Sequence, residues 1–106
     1  LDVSNNEISS TLPSHLFSME NLTVVDLHEN FIYGTIPRHI SPHNSMQFLA
    51  LQNNQLTGSI PHAIANLSHY LDHLDLSDNQ LTGVFPTVMA ELRKLKYLFM
   101  ANNPTF

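Results

Sequence analysis

The stretch LALQNNQLTGSIPHAIANL, from Leu49 to Leu67, decides the fold because its frame recurs along the chain. Its first thirteen residues align with LDVSNNEISSTLP from Leu1, VDLHENFIYGTIP from Val25 and LDLSDNQLTGVFP from Leu74, and a shorter segment, LFMANNPTF, starts at Leu98. The Asn of the frame returns at spacings of 24, 24, 25 and 24 residues. A period of this length predicts a stack of similar units rather than one globular domain.

Each part of the frame predicts a local structure. The alternation of Leu49 with Leu51 favours a short strand with one buried face, and stacked repeats then form a parallel sheet with strands ~4.8 Å apart. Apolar residues at every third position between the strands indicate tight, irregular or 3₁₀-like turns. Glycines at Gly34, Gly58 and Gly83 indicate positive φ or a close backbone approach. The one extra residue, near LSHYLDHL, falls in a surface loop that should not interrupt the coil.

The recurring Asn is predicted to form a ladder inside the structure. A buried Asn amide can pair with backbone groups of its own turn and of the neighbouring turn, groups that would otherwise stay unpaired. The predicted ladder consists of Asn6, Asn30, Asn54, Asn79 and Asn103.

Composition excludes several classes of partner. The chain has 106 residues, nine acidic against four basic side chains and a formal net charge of -5. Nucleic acid and anionic membrane are therefore not expected partners. No apolar run approaches the roughly 18 residues of a membrane helix, so no membrane segment is expected in this chain, and the absence of Cys removes disulfides.

The frame resembles the plant-specific class of leucine-rich repeat proteins, whose consensus reads LxxLxxLxLxxNxLxGxIPxxLxxL. The resemblance covers essentially all of the chain. It implies an α/β repeat solenoid: a right-handed superhelix with a parallel concave β-sheet, a short second strand in each LxGxIP segment, and 3₁₀ helices or turns on the convex side. We expect one array over 1–106 with about five repeats of 24 residues, at approximately 1–24, 25–48, 49–73, 74–97 and, in part, 98–106. The terminal caps of the family are absent, so a fragment of a longer ectodomain is expected.

Side chains between the buried leucines should point outward from the concave sheet, one row per repeat position. Aromatic residues among them are candidate anchors for a protein or peptide ligand, because buried aromatics dominate the energetics of interfaces. The alternative is that isolated apolar residues on a surface are ordinary. The predicted ligand-binding residues are Asp26, His28, Phe31, Phe48, His73, Asp75, Tyr97 and Phe99.

Neither a metal site nor an active site is expected. The pairs Asp26/His28 and His73/Asp75 lie two repeats apart, roughly 10 Å by the strand spacing, which is too far for one ion. We therefore predict no metal and no cofactor. Ser77 lies beside His73 and Asp75 as part of the polar face, with no sign of an oxyanion hole. Histidines that gain charge toward pH 5 to 6 are an alternative means of tuning binding, and solvated surface histidines are the other.

Two N-x-[ST] sequons, Asn21-Leu22-Thr23 and Asn66-Leu67-Ser68, predict glycosylation of Asn21 and Asn66 on the outer turns. The resemblance implies an extracellular or plasma-membrane ectodomain of a receptor-like kinase or receptor-like protein in signalling or defence. Its partners would be a protein or peptide ligand and a co-receptor, and any kinase domain would lie outside this non-enzymatic chain. The alternatives are a secreted inhibitor of a cell-wall-degrading enzyme, similar to polygalacturonase inhibitors, and a structural spacer.

Overall fold

The computed structural model describes residues 1–104, in which every repeat after the first has one or two short strands. Within these residues the strands are, in chain order, β1 (Val24–Asp26), β2 (Tyr33–Thr35), β3 (Phe48–Ala50), β4 (Gln55–Gly58), β5 (His73–Asp75), β6 (Gln80–Leu81) and β7 (Tyr97–Phe99). Residues 105 and 106 of the predicted partial repeat 98–106 lie outside the described residues. The handedness of the superhelix and the repeat bounds stay predictions.

The strands form two parallel sheets. The main sheet has the order β1-β3-β5-β7, and the second sheet has the order β2-β4-β6. In the main sheet each strand pairs with its equivalent one repeat later, so Leu49 lies opposite Val25 on one side and Leu74 on the other. An isolated bridge between Asp2 and Asp26 adds the first repeat to this pairing. The predicted parallel sheet and the second strand implied by the family resemblance are both confirmed.

Short 3₁₀ helices connect the two sheets on the outer side. They span Ser14–Ser18, His62–Leu67 and Thr87–Glu91, and each begins directly after a proline. Apolar residues at every third position match the three residues per turn of a 3₁₀ helix, so the helical part of the predicted α/β solenoid is 3₁₀. Among residues 1–104 no helix has the length and apolar character needed to cross a membrane.

The core is built from the apolar frame of the repeats. The middle residue of each of the first three strands of the main sheet is buried: Val25, Leu49 and Leu74 have no exposed surface. The following aliphatic residues, such as Leu51, are equally buried, so each of the first four repeats contributes at least two side chains to one continuous cluster. Leu98, the equivalent residue in β7, is 38% exposed because no described strand pairs with the outer edge of β7.

The extra residue of the third repeat is absorbed where the sequence predicts. Leu67 and Leu71 are both fully buried although four positions separate them, and Tyr70 between them is 54% exposed. The register between β3 and β5 continues without interruption. A surface turn accepts such an insertion at low entropic expense, so the stack is unbroken.

Two equivalent backbone positions have positive φ, one in three of the repeats and the other in all five. The glycine position was predicted: Gly58 has a φ of 77°, and a Cβ there would lie 3.0 Å from Cγ2 of Thr35. The other position, directly before the ladder Asn, was not predicted from the sequence. Its residues have φ between 53° and 59° and are Asn5, Glu29, Asn53, Asp78 and Asn102. Asn and Asp tolerate this left-handed region better than other non-glycine residues, which was the available signal.

The ladder Asn closes the turn that this positive φ creates. The buried Asn54 donates from Nδ2 to the carbonyl of Leu51 in its own repeat and to that of Leu27 in the preceding repeat, at 3.1 and 3.0 Å. Its Oδ1 accepts the backbone N–H of Ile32 at 3.0 Å. One side chain therefore joins two repeats through both ends of its amide. Equivalent bonds to the preceding repeat are made by Asn30, Asn79 and Asn103.

We predict that Asn54→Ala lowers the free energy of unfolding by about 2 to 3 kcal/mol, because it leaves the buried N–H of Ile32 without its partner. It also removes one of the two Asn amides that bond each of the carbonyls of Leu27 and Leu51. The change is measured from the midpoint of urea denaturation followed by circular dichroism. Asn6→Ala is the matched control, since the exposed Asn6 donates only to carbonyls of its own repeat, those of Val3 and Ser4. The control should lose less than about 1 kcal/mol. Equal losses in the two variants would contradict the ladder as a bond between repeats.

Candidate functional site

The face of the main sheet that points away from the core, here called its outer face, presents its side chains in rows, as the sequence predicts. The parallel register aligns the first residues of the strands, which are Val24, Phe48, His73 and Tyr97. It also aligns the third residues, which are Asp26, Ala50, Asp75 and Phe99. These positions are exposed or half-buried, except for Ala50, which is buried between the two aspartates. The rows therefore form a surface interrupted by one small apolar residue.

Four ring side chains meet on this surface, and we call Phe48, His73, Tyr97 and Phe99 the aromatic cluster. The ring of His73 stacks on Phe48 with centroids 4.2 Å apart and planes 15° apart. Its other side faces Tyr97 and Phe99, at 5.9 and 5.7 Å with tilted planes. Parallel strands ~4.8 Å apart hold aligned rings near stacking distance. Tyr97 and Phe99 are 57% and 46% exposed in β7, whose outer edge is not covered by a described strand, so within the described residues the cluster has free apolar surface.

The structure does not bring Phe31 into the aromatic cluster. Phe31 follows the turn and donates its N–H to the carbonyl of Ile8, two residues before β2 begins. The equivalent residues of the next repeats, Gln55 and Gln80, are the first residues of β4 and β6 in the second sheet. The predicted place of Phe31 on the main sheet is therefore corrected, because the chain has already left that sheet at the ladder Asn. Phe31 is half exposed beside the second sheet.

The aspartates of the outer face form a repeated local motif. Oδ1 of Asp75 accepts the backbone N–H of Ser77 at 3.0 Å and its hydroxyl at 2.6 Å. Asp2 holds Ser4 in the same way, and these bonds lower the pKa of the Asp2 carboxyl. Because the Ser77 hydroxyl donates to Asp75, it is not paired with His73. The arrangement closes the end of a strand and does not form a nucleophile with a base.

His28 takes the place of the serine in the second repeat. Its Nδ1 lies 2.5 Å from Oδ1 of Asp26, and its Nε2 lies 3.4 Å from Nδ2 of Asn5. The hydrogen bond to Asp26 raises the pKa of His28, partial burial opposes this shift, and the negative charges of Asp26, Glu29 and Asp2 add to it. The interaction stabilises the fold at acidic pH, and it is lost as pH rises through the raised pKa.

His73 differs from His28 although the sequence pattern is the same. The carboxylate two residues away, Asp75, is engaged by Ser77, and His73 instead contacts aromatic rings. Of the two predicted Asp/His pairs, Asp26/His28 is therefore hydrogen-bonded, whereas the histidine of the other pair, His73, belongs to the aromatic cluster. Within residues 1–104 no group of three or more His, Asp or Glu side chains is arranged to hold a metal ion.

The main sheet carries acidic but no basic side chains. Five of the nine acidic residues of the chain lie in its rows and turns, and they are Asp2, Asp26, Glu29, Asp75 and Asp78. The other four, Glu7, Glu20, Asp72 and Glu91, lie outside these positions. None of the seven strands contains Lys or Arg. The four basic residues are exposed in the outer turns or directly before β7, and they are Arg38, Arg93, Lys94 and Lys96. The outer face of the main sheet therefore has a negative potential.

The third repeat departs from the Asp motif, with a consequence that was not predicted from the sequence. Ala50 replaces the aspartate and Gln52 replaces the serine or histidine. The Oε1 atom of Gln52 is buried and has no hydrogen-bond partner within the described part of the chain. The missing Asp in an otherwise regular row was the available signal. Among the first four repeats, Ala50 is therefore the only uncharged residue of this row and the one least accessible to solvent.

The predicted glycosylation sites both lie on the side of the repeats that carries the 3₁₀ helices, away from the main sheet. Asn21 is exposed in the turn that follows the first 3₁₀ helix, whereas Asn66 lies inside the 3₁₀ helix His62–Leu67. Neither residue is in a strand, so sugar at either site would not replace a side chain of the rows.

Comparison of the sequence with known families gives a match over nearly the whole chain. Residues 1–56 and 56–104 match the family described as Leucine rich repeat. A search of curated proteins found no significant match.

Comparison with solved structures finds receptor ectodomains. The chain is similar to the LRR ectodomain of the membrane receptor kinase GASSHO1/SCHENGEN3 from Arabidopsis thaliana, solved with CASPARIAN STRIP INTEGRITY FACTOR 2, at 36% identity over 99% of this chain with a TM-score of 0.93. It is similar to the plant peptide hormone receptor RGFR1, solved with RGF2, at 34% identity over 95% of this chain with a TM-score of 0.89. It is also similar to the Arabidopsis receptor kinase HAESA, solved with the peptide hormone IDA and the co-receptor SERK1, at 30% identity over 99% of this chain with a TM-score of 0.90.

This chain spans only a small part of those proteins. It covers 13% of the GASSHO1/SCHENGEN3 chain, 16% of the RGFR1 chain and 17% of the HAESA chain.

We predict that Asp26→Asn lowers the pKa of His28, because the mutation replaces the carboxylate that accepts the imidazole N–H with a neutral and weaker amide acceptor. The measurement is an NMR titration of the imidazole Cε1–H resonances. Asp75→Asn is the matched control, since Asp75 occupies the same row but bonds Ser77. The control should leave the His28 midpoint unchanged. A His28 pKa that does not respond to Asp26→Asn would overturn the assignment of the pair.

Proposed function

The chain belongs to the leucine-rich repeat family, and from that membership we propose that it is a protein- or peptide-binding module in the ectodomain of a receptor-like kinase or receptor-like protein. The observation that carries the proposal is the aromatic cluster, in which partly exposed rings gather on a regular sheet. Exposed aromatic groups in contact with one another are typical of protein interaction sites. The ligand-binding surface is the outer face of the main sheet.

The sheet holds this surface in place before a ligand arrives. The buried middle residues of β3 and β5, Leu49 and Leu74, fix the outward residues that flank them, and β7 is aligned with these strands by its pairing with β5. Stacking of His73 on Phe48 further restricts both rings. Binding to an ordered surface loses less conformational entropy than binding to mobile loops, so a small number of contacts gives useful affinity.

The charge distribution defines the chemistry of the ligand. The carboxylates of Asp26 and Asp75 flank the buried Ala50. The rings of the aromatic cluster lie in the first and third rows of the same strands, β3, β5 and β7. We expect an extended peptide segment that places an apolar side chain on the cluster and a Lys or Arg beside the aspartates. Opposite charges steer such a ligand to the surface, and an acidic ligand would be repelled.

The similar receptors support this role. The solved RGFR1 and HAESA structures contain RGF2 and the peptide hormone IDA, and HAESA is also in complex with the co-receptor SERK1. By analogy we propose a peptide ligand and a co-receptor for the protein that contains this chain, in signalling or defence at the extracellular side of the plasma membrane. We assign the module no catalytic step.

We predict that the triple variant F48A/Y97A/F99A lowers affinity for selected peptides at least tenfold, which corresponds to about 1.4 kcal/mol. The peptides come from a displayed library of random linear sequences selected on the wild-type chain, and affinity is measured by calorimetry. We expect the selected peptides to combine apolar residues with Lys or Arg, and their binding to weaken as salt increases.

The matched control is Y33A/Y70A, which removes two exposed aromatics outside the main sheet. It should leave affinity within about twofold, a change well under 1 kcal/mol. Retained binding in the triple variant, with its circular dichroism unchanged, would reject the aromatic cluster as the site. Failure to select any peptide would favour the structural spacer.

A further inference from the structure

We propose that the two sequons have different roles: Asn21 is the acceptor of an N-linked oligosaccharide, and Asn66 is a structural residue that carries no sugar in the folded protein. The sequence predicts a glycan at both sites, because both satisfy the N-x-[ST] pattern. The contacts of the two asparagines separate them. This inference is independent of the ligand and of the aromatic cluster.

The side chain of Asn66 is already engaged within the fold. Its Nδ2, the atom to which an oligosaccharide would be attached, donates to the backbone carbonyl of Ile40 at 2.7 Å. Ile40 belongs to the outer turn of the preceding repeat and is itself buried. The bond therefore joins two neighbouring outer turns, as the ladder Asn joins two inner turns.

A second amide completes this connection. The backbone carbonyl of Asn66 accepts Nδ2 of the buried Asn44 at 2.8 Å, and Asn44 also donates to the carbonyl of Ser41 at 2.6 Å. Oδ1 of Asn44 accepts the N–H of Met46 at 3.2 Å. The outer segment of the second repeat has no 3₁₀ helix, and these bonds supply backbone partners that a helix would otherwise provide.

The rest of the second sequon is equally constrained. Leu67 is fully buried, and the backbone N–H of Ser68 donates to the carbonyl of Ala65 at 3.1 Å. A sugar on Asn66 would replace one hydrogen of an amide nitrogen that lies in contact with Ile40. The glycan and the neighbouring turn would then compete for the same space, and the link between the turns would be weakened.

In the first sequon the backbone is engaged but the asparagine side chain is not: the Thr23 carbonyl accepts the N–H groups of Gln47 and Phe48. Asn21 and Thr23 are exposed, and Leu22 between them is half-buried. Asn21 lies in a turn after the 3₁₀ helix Ser14–Ser18, three residues before β1 begins. No hydrogen bond of the Asn21 side chain occurs among the described residues, so its Nδ2 faces solvent and a glycan there leaves the fold unchanged.

The test is glycopeptide mapping of the protein secreted from a eukaryotic host, with enzymatic deglycosylation in ¹⁸O-labelled water marking each occupied Asn. We expect most secreted molecules to carry a glycan at Asn21 and few or none at Asn66. Comparable occupancy at the two sites would overturn the proposal, as would an unoccupied Asn21. The result does not depend on whether the outer face of the main sheet binds a peptide.

Matched variants separate the sequon from the side chain. Ser68→Ala destroys the second sequon but keeps the Asn66 amide, so secretion, mass and thermal midpoint should match those of the wild type. Asn66→Gln displaces the amide and should lower both secretion and the thermal midpoint. Thr23→Ala should remove one glycan mass without lowering the thermal midpoint of the deglycosylated protein. Loss of a glycan mass in Ser68→Ala, or a wild-type midpoint in Asn66→Gln, would contradict a structural role.

Discussion

The fold depends on the pairing of backbone groups at the turn between the two sheets. Each repeat leaves its inner strand through a residue with positive φ, and this turn leaves carbonyls and an N–H in the interior. A buried backbone group without a partner is destabilising by about 1 to 3 kcal/mol. The ladder Asn satisfies several at once, as Asn54 does for Leu27, Leu51 and Ile32. The apolar residues can then pack around a turn that would otherwise be unfavourable.

The periodic features of the fold were predictable because each has a local chemical cause. Leu49 and Leu51 are buried by alternation, and Gly58 is required by positive φ and by the nearby Thr35. The rows of the main sheet follow from the same period. The path of the chain after the turn does not, and for that reason Phe31 was placed on the wrong sheet. A repeating sequence defines equivalent positions, but it does not say at which residue a strand ends.

The chemistry of the candidate site was predictable only in part. His28 and His73 have the same spacing to an aspartate, yet one bonds its aspartate and the other packs among rings. The difference arises from neighbours in other repeats: Asn5 lies beside His28, whereas Phe48 and Tyr97 flank His73. Such neighbours are 23 to 25 residues away in sequence, and side-chain packing decides which contact forms. Ligand preference lies in these variable contacts, while the fold lies in the frame.

The ladder bonds join only neighbouring repeats, and this affects how proteins of this kind can change in length. Every bond that Asn54 makes ends in its own repeat or in the one before it, and the same holds for Asn79. A duplicated unit inserted between them would therefore find the partners it needs on both sides. Gene segments that encode whole repeats can be gained or lost without redesign of the interior. Evolution can thereby alter the extent of the recognition surface independently of its individual side chains.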